Sequence, residues 1–299
     1  MEQRFTRINT DLLKKNNLCK FALIVISFLS LTFPVAAQKL AVLVPEKTAQ
    51  SKQFAEKLET SLSPNFKILD DSLSEIAFLS AKHEKPFNLS LEEAKNVGAA
   101  IGCDYFLLIK AENLVRYSFE RKEYQESYAA VYAISSRTGR LIFWKLAGGE
   151  AENAEKADGK LFALINDLAA EISDKLKSTT KEELNEKPAP KLEELPAEDS
   201  PEAKNFRPPL PYRSIKPSYT RTAYLYSVEA TVDIEIDVDE NGKILRTKIV
   251  RWAGFGLDES VTETVRKMNW RPASRNGKPL PMRVLLRYNF KKTKPDDEQ

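Results

Sequence analysis

The sequence predicts an α+β protein: two small α/β-type domains joined by a proline-rich linker, the last a three-stranded sheet packed on one helix. Three observations support this prediction. Residues 228–238 alternate apolar and polar side chains, as a strand with one buried face does. Residues 91–101 have helical spacing between Ser90 and Gly102. Half of the 16 prolines lie between Pro188 and Pro217, which is typical of an extended linker.

Residues 1–37 predict a signal peptide. A basic stretch precedes an apolar run at residues 21–35, and Ala36-Ala37 supplies the small residues expected before a cleavage site. The run of about 15 residues is shorter than the roughly 20 that a spanning helix needs. Cleavage is therefore favoured over an uncleaved anchor. Cys19 precedes the apolar core, so no lipid anchor is indicated.

The charge balance excludes one class of partner. The chain has a formal net charge of +3, and the leader, with five basic and two acidic residues, carries all of it. A neutral mature chain gives no electrostatic basis for binding nucleic acid. Cys103 is the single cysteine left after cleavage, so no intramolecular disulfide is expected despite export to an oxidising compartment.

Residues 38–178 predict a mixed α/β domain. A capping box of Ser90 and Glu93 starts its clearest helix, and Gly102 ends it. We expect strands at 39–44, 66–69, 105–111, 123–135 and 140–147, and helices at 51–62, 70–80, 91–101 and 159–177. Residues 99–108, together with the later turn Thr138-Gly139, resemble the small α/β domains of exported envelope proteins such as the TolB amino-terminal domain and CsgG.

Residues 179–216 predict a linker rich in Pro, Glu and Lys. Apolar periodicity is weak between residues 181 and 205, which favours an extended, largely disordered spacer. Such a spacer either bridges separated partners or is a passive tether, and the sequence leaves both open.

Residues 228–252 predict a β-hairpin around a turn at Asp239-Glu240-Asn241-Gly242. A two-residue turn pairs Asp237 with Arg246 and Glu235 with Lys248. A longer turn with a bulge shifts the register and pairs Glu235 with Arg246 and Asp233 with Lys248. Acid faces base in both registers, so we interpret the acidic row as cross-strand pairs and not as a cation site.

After the hairpin, the sequence predicts a helix at 257–268, a turn at Asn276-Gly277 and a strand at 282–290. Several motifs of residues 217–291 together resemble the TonB carboxy-terminal domain family, in its order and spacing: Pro217-Ser218-Tyr219, the strand at 228–238, Asp239-Glu240-Asn241-Gly242, Gly256-Leu257-Asp258, Trp270-Arg271-Pro272-Ala273, Asn276-Gly277-Lys278-Pro279 and the last strand. Residues 292–299 are then a disordered tail.

The resemblance implies a periplasmic protein that binds an outer-membrane transporter, or another envelope protein, by adding a strand to its sheet. The implied edge comprises Arg283, Val284, Leu285, Leu286, Arg287, Tyr288, Asn289 and Phe290, and we expect proline at Leu286 to abolish binding. Pro217 and Tyr219 are weaker contact candidates, because Thr220 stands where the family often has proline.

The leader limits what the resemblance implies about energy coupling. An inner-membrane motor is a partner only if the leader stays uncleaved and anchors the chain in the inner membrane. Transmembrane transport coupling is thus one interpretation. The alternative is a scaffolding or assembly protein without energy coupling, whose last domain forms a homodimer.

No residue pattern indicates an enzyme. His83 is the one histidine and lies in a polar loop, and Cys103 has no histidine near it in sequence. We therefore predict no catalytic residues, no cofactor and no metal site. Tyr124, Tyr128 and Tyr132 share one face of a predicted strand, where packing is favoured over a recognition surface.

Overall fold

The structure, a computed structural model, describes residues 37–186, 192–193, 196 and 199–292. The predicted leader, part of the linker and residues 293–299 lie outside the described residues, so the predictions for them remain predictions. Within the described part, no helix is both long and apolar enough to cross a membrane.

The first part of the chain contains a mixed sheet with helices packed against it. Its elements are β1 (Lys39–Leu43), α1 (Ala49–Leu62), β2 (Lys67–Ile68), α2 (Asp71–Ser80), α3 (Leu91–Ile101), β3 (Tyr105–Arg116), β4 (Tyr124–Ser135), β5 (Leu141–Ala151), α4 (Ala154–Ala163) and α5 (Ile165–Asn185). The five strands lie in the order β2-β1-β3-β4-β5. β1 is parallel to both neighbours, and β3, β4 and β5 are antiparallel. The predicted α/β domain is confirmed.

The helix boundaries follow from capping. The Ser90 hydroxyl accepts from the Glu93 backbone and the Glu93 carboxylate accepts from the Ser90 backbone, so the predicted capping box is present. Gly102 ends α3 in the left-handed conformation at φ 76°. The predicted helix at 159–177 is instead two helices that meet at Leu164. The first begins earlier than predicted, because the Asn153 side chain caps it by accepting from the Lys156 backbone N–H.

The second part contains a three-stranded sheet and one main helix. Its elements are β6 (Phe206–Arg207), β7 (Leu210–Pro211), α6 (Arg221–Leu225), β8 (Ala230–Val238), β9 (Ile244–Arg251), α7 (Leu257–Arg266), β10 (Trp270–Arg271), β11 (Ala273–Arg275), β12 (Lys278–Leu280) and β13 (Met282–Phe290). The sheet has the order β13-β8-β9, with both pairs antiparallel. Leu257, Val261 and Val265 form the buried face of α7. The predicted α+β fold is therefore confirmed.

The hairpin adopts the first predicted register by an unexpected route. Asp237 lies opposite Arg246 and Glu235 opposite Lys248. The turn is longer than two residues, however, since the Asp239 backbone pairs with Lys243 and Val238 lies opposite Ile244. A bulge between Asp237 and Val238 then restores the pairing.

Part of the predicted linker is structured. α5 continues to Asn185, and a short 3-10 helix covers Pro201–Ala203. β6 pairs with β11, and β7 pairs with β10. Phe206–Arg207 and Leu210–Pro211 are therefore short strands, because their backbones find partners on the second part of the chain.

The two parts share a hydrophobic core. One cluster lies within the first part and contains Phe54, Leu107 and Ile172. The other joins first-part residues such as Phe106 and Ile134 to second-part residues such as Trp252, Val232 and Val261. The core of the second part is therefore continuous with one face of the first-part sheet.

Candidate partner-binding edge

The final strand lies at an edge of the small sheet. β13 pairs along its whole length with β8, from Met282 opposite Val238 to Phe290 opposite Ala230. On its other side, the described residues provide one contact, at its start. An edge strand carries unpaired backbone donors and acceptors, which is the requirement for strand addition. The residues predicted for the edge are thus brought together on one strand.

Alternate residues of β13 direct their backbone groups outward. The Arg283 N–H points away from β8, because it donates to the Glu193 carbonyl at 3.2 Å. In an antiparallel pair the direction alternates, so Leu285, Arg287 and Asn289 also face outward. Leu286 faces β8. Proline at Leu286 would therefore remove a donor to β8, and Leu285 is the position whose N–H faces outward; the expected loss of binding stays a prediction.

The acidic row of β8 is buried between arginines of both neighbouring strands. Asp233 and Asp237 are 4% and 2% exposed, whereas the alternating pattern predicted a solvent-facing row. Arg283 binds Asp237 through two nitrogens at 2.7 and 3.0 Å, and Arg287 binds Asp233 in the same way at 2.8 and 2.9 Å. The two edge arginines of the predicted site are thus engaged within the sheet.

The strand β9 completes both ion clusters. Arg246 reaches Asp237 at 2.9 Å, and Arg251 reaches Asp233 at 3.4 Å. Burial by itself raises the pKa of Asp237, but the hydrogen bonds and charges of Arg283 and Arg246 outweigh burial and hold that pKa below its ordinary value. Each aspartate therefore ties the two outer strands to the central one.

One linker residue covers the start of the edge. Glu193 forms an isolated parallel bridge with Met282, and its carboxylate forms an ion pair with Arg275 at 2.8 Å. The Glu193 backbone carbonyl also accepts a hydrogen bond from the Arg283 N–H. Beyond that point, from Leu285 to Asn289, the described chain leaves the outward side open.

Of the weaker predicted contacts, Pro217 and Tyr219, the Tyr219 side chain packs against the last residue of β13. The Tyr219 ring stacks on Phe290 at 6.3 Å, and its hydroxyl donates to the Val228 carbonyl at 2.8 Å. Thr220, the departure from the family pattern, caps α6 by accepting from the Ala223 backbone. The Tyr219 side chain therefore orders the start of the sheet, and its role as a partner contact stays a prediction.

The first part of the chain holds the end of the sheet where β9 finishes, which the sequence did not predict. Beyond the end of β9, the Asn88 side-chain amide donates to the Thr231 carbonyl and accepts from the Thr231 N–H, both at 2.8 Å. It also donates to the Trp252 carbonyl at 2.7 Å. The Asn88 amide therefore takes the place of a peptide group beside β8. An antiparallel bridge between Ser90 and Arg251 continues the contact.

Aromatic residues secure this contact. Trp252 is 1% exposed, packs against Tyr132 at 5.7 Å and donates from its indole to the Gly139 carbonyl at 3.2 Å. Phe255 packs against Trp144 at 4.8 Å. The Gly254 backbone lies so close to Trp144 that a Cβ there would be 2.7 Å from the ring, which requires a residue without a side chain.

Asp258 holds the loop that carries these aromatics. Its carboxylate accepts from the Ala253 and Gly254 N–H groups at 3.0 and 2.8 Å. Burial raises the pKa of Asp258 to about 7, against the effect of those two donors. No sequence signal identified Asn88 or Asp258 as organising residues, because their partners are backbone groups.

The residues considered for chemistry have structural surroundings. Cys103 is buried at the junction of α3 and β3, and burial raises the pKa of its thiol to about 11. His83 bonds the Ala81 carbonyl and packs on Phe78. Tyr128 and Tyr132 are buried, as packing predicts. The described ranges contain no group of three residues suited to a metal ion.

Comparison with known proteins supports the assignment of the second part. Residues 215–291 match the family described as the Gram-negative bacterial TonB protein C-terminal. The recognition of this domain from sequence is therefore confirmed: residues 215–291 are a TonB C-terminal domain. None of the curated proteins matches the chain.

Solved structures give further likenesses. The chain is similar to the TonB C-terminal domain of Pseudomonas aeruginosa, with 19% identity over 34% of this chain and 96% of that one, at a TM-score of 0.27. It is similar to the hypothetical protein CT253 from Chlamydia trachomatis, with 12% identity over 48% and 99% of the two chains and a TM-score of 0.32. Lipoprotein GNA1162 from Neisseria meningitidis has 12% identity over 47% and 99%, with a TM-score of 0.30. The likeness to TolB and CsgG stays a prediction.

Proposed function

We propose that this protein is a periplasmic envelope protein that binds an extended segment of an outer-membrane partner along β13. The observation that carries the proposal is the edge itself. Leu285, Arg287 and Asn289 direct backbone groups outward on a strand that belongs to a TonB C-terminal domain. The half-buried side chains of Leu286 and Tyr288 offer apolar surface beside it.

A rigid edge favours strand addition. Both edge arginines are anchored on buried aspartates, so the strand keeps its shape before a partner arrives. A preformed edge loses less conformational entropy on binding than a disordered one. Affinity then comes from main-chain hydrogen bonds, and side chains at alternate positions add specificity.

The proposal is tested by calorimetry with a synthetic peptide from the amino-terminal plug of an outer-membrane transporter. We expect the peptide to bind the protein and Leu285→Pro to weaken binding at least about tenfold, because proline removes an outward N–H. Leu285→Ala is the matched control, since it keeps that N–H. Proline at an outward position of an edge strand is tolerated structurally, so the variant still folds.

Two results would contradict the proposal. One is the absence of binding for a panel of such peptides. The other is equal affinity in the proline and alanine variants, which would place the peptide elsewhere on the protein.

A scaffolding role without energy coupling is the second candidate function. The packing of the TonB C-terminal domain against the first part favours this role. Trp252 and Asn88 hold the domain in place, and a fixed domain suits assembly better than one on a flexible linker. The mature amino terminus distinguishes the candidates. Mass spectrometry that finds Gln38 first excludes an uncleaved anchor and hence a link to an inner-membrane motor, while Met1 first restores it.

A further inference from the structure

The contact of Glu193 with the start of β13 has the geometry of a partner strand. Its carbonyl accepts from the Arg283 N–H at 3.2 Å, and its backbone bridges Met282. Its carboxylate accepts from the two terminal nitrogens of the Arg275 guanidinium, at 2.8 and 3.4 Å. One residue thus satisfies an edge donor with its backbone and a neighbouring cation with its side chain.

Arg275 is positioned to receive an acidic group. It lies on β11, opposite Phe206 of β6, with its guanidinium 5.8 Å from the centre of the Phe206 ring. Its Nε atom is buried and has no acceptor among the described residues. The guanidinium is therefore held in place and keeps a donor that Glu193 does not use.

The covering residue lies outside the TonB C-terminal domain. The family match begins at residue 215, whereas Glu193 belongs to the proline-rich segment before it. Arg275 and the whole edge lie inside the match. The contact therefore joins a segment particular to this chain to the strand that the domain offers to partners.

We propose that Glu193 is a built-in competitor for the edge, and that Arg275 selects partner segments that carry a carboxylate in register with Met282. This inference rests on the proposed function, since it assigns a regulator and a partner chemistry to the same edge. An incoming acidic strand takes the Arg283 N–H and Arg275 together and displaces the linker residue.

The strength of the contact suits displacement. Glu193 and Arg275 are 50% and 35% exposed in their side chains, and an exposed ion pair contributes about 0.2–1 kcal/mol. Tethering raises the effective concentration of the segment to the millimolar range for a short linker. A partner that extends on to Leu285 and Asn289 makes more main-chain bonds than the competitor and replaces it.

The test uses a synthetic peptide of residues 188–199 as the probe and the purified protein as the receptor. In an open-edge variant, residues 192–196 are replaced by glycine and serine. We expect this variant to bind the probe at least about twofold more tightly than the intact protein, because the tethered competitor is gone.

The role of Arg275 is tested in the open-edge variant. Arg275→Gln is expected to weaken probe binding about threefold to fivefold, the upper part of the range for one exposed ion pair. Arg271→Gln is the matched control, since Arg271 is an exposed arginine on the adjacent strand β10. A probe that carries Gln in place of Glu193 should bind the open-edge variant more weakly by the same factor. Adding Arg275→Gln to that variant should not weaken the binding of this probe any further.

Hydrogen exchange gives a second measurement. In the intact protein, the Arg283 amide should exchange more slowly than those of Leu285 and Arg287, and in the open-edge variant it should exchange as they do. Equal probe affinity in the intact and open-edge proteins, or equal losses in Arg275→Gln and Arg271→Gln, would overturn the inference.

The transporter peptide separates this inference from the proposed function. If that peptide binds the open-edge variant while the residue 188–199 probe does not, the edge works and only the competitor idea fails. If the transporter peptide also fails to bind the open-edge variant, the proposed function fails.

Discussion

The two outer strands of the small sheet differ in how their free sides are treated. At the end of β9, the chain's own residues Asn88 and Ser90 continue the hydrogen bonding of the sheet. Along β13, the described chain covers the start and leaves the side open from Leu285 onward. The end of one outer strand is therefore fixed to the first part of the molecule, whereas the end of the other is left open by the described residues.

The difference shows how a sheet is extended without a complete strand. The Asn88 amide has one acceptor and two donors, which is enough to imitate a peptide group toward Thr231 and to hold Trp252 as well. The amide therefore continues the row of β9 beside β8 at the end of the sheet that the first part holds.

The largest expected effect comes from removing Trp252, the aromatic residue that packs the end of β9 against the first part. Trp252→Ala should lower the free energy of unfolding by about 3–5 kcal/mol, because a fully buried indole is replaced by a cavity. Urea unfolding followed by circular dichroism measures this change. Leu285→Ala on the open edge is the control, since Leu285 is 55% exposed and a change there is expected to stay within about 0.5 kcal/mol. Equal losses in the two variants would remove the distinction between the edges.

A smaller effect comes from the amide that imitates the backbone. Asn88→Ala should lower the free energy of unfolding by about 1–3 kcal/mol, because the half-buried N–H and carbonyl of Thr231 lose their partner. Residue-resolved hydrogen exchange should show faster exchange of the Thr231 amide. Asn96→Ala on α3, an exposed asparagine, is the matched control and should leave that amide unchanged. Protection of Thr231 that survives in Asn88→Ala would show that the Asn88 amide does not hold this end of the sheet.

Local patterns made much of this fold predictable. The capping box of Ser90 and the glycine at 102 fixed both ends of α3, since both are satisfied within one turn of the helix. The alternation in β8 predicted its strand, and charge pairing predicted the register of Asp237 with Arg246 as one of two choices. The position of β13 at an edge followed from its place as the last strand of a recognised domain.

The remaining features depend on contacts between distant residues. Asn88 and Thr231 are 143 positions apart, and an asparagine in a polar loop carries no periodic signal. The burial of Asp233 and Asp237 was not predicted either. A charged residue on a strand is normally exposed, and here arginines from two other strands cover it. Whether an edge is open or closed is likewise a property of the assembled chain.

The smallest expected effect concerns the residue that links the two edges. Asp237 binds Arg246 of β9 and Arg283 of β13, and these arginines keep its pKa below the ordinary value although burial opposes them. A lowered pKa in the folded state stabilises the fold at pH values above the pKa of the unfolded chain, about 3.9, and this contribution disappears as the pH falls through the folded-state pKa.

Asp237→Asn should therefore lower the free energy of unfolding by about 1–2 kcal/mol at pH 7, in line with charge-assisted hydrogen bonds. The difference from the unmodified protein should shrink below about pH 4. Urea titrations from pH 3 to pH 7 measure this, with Glu235→Gln on the same strand as the control. A difference that stays constant down to pH 3 would mean that the shape of Asp237, and not its charge, holds the two edges to the central strand.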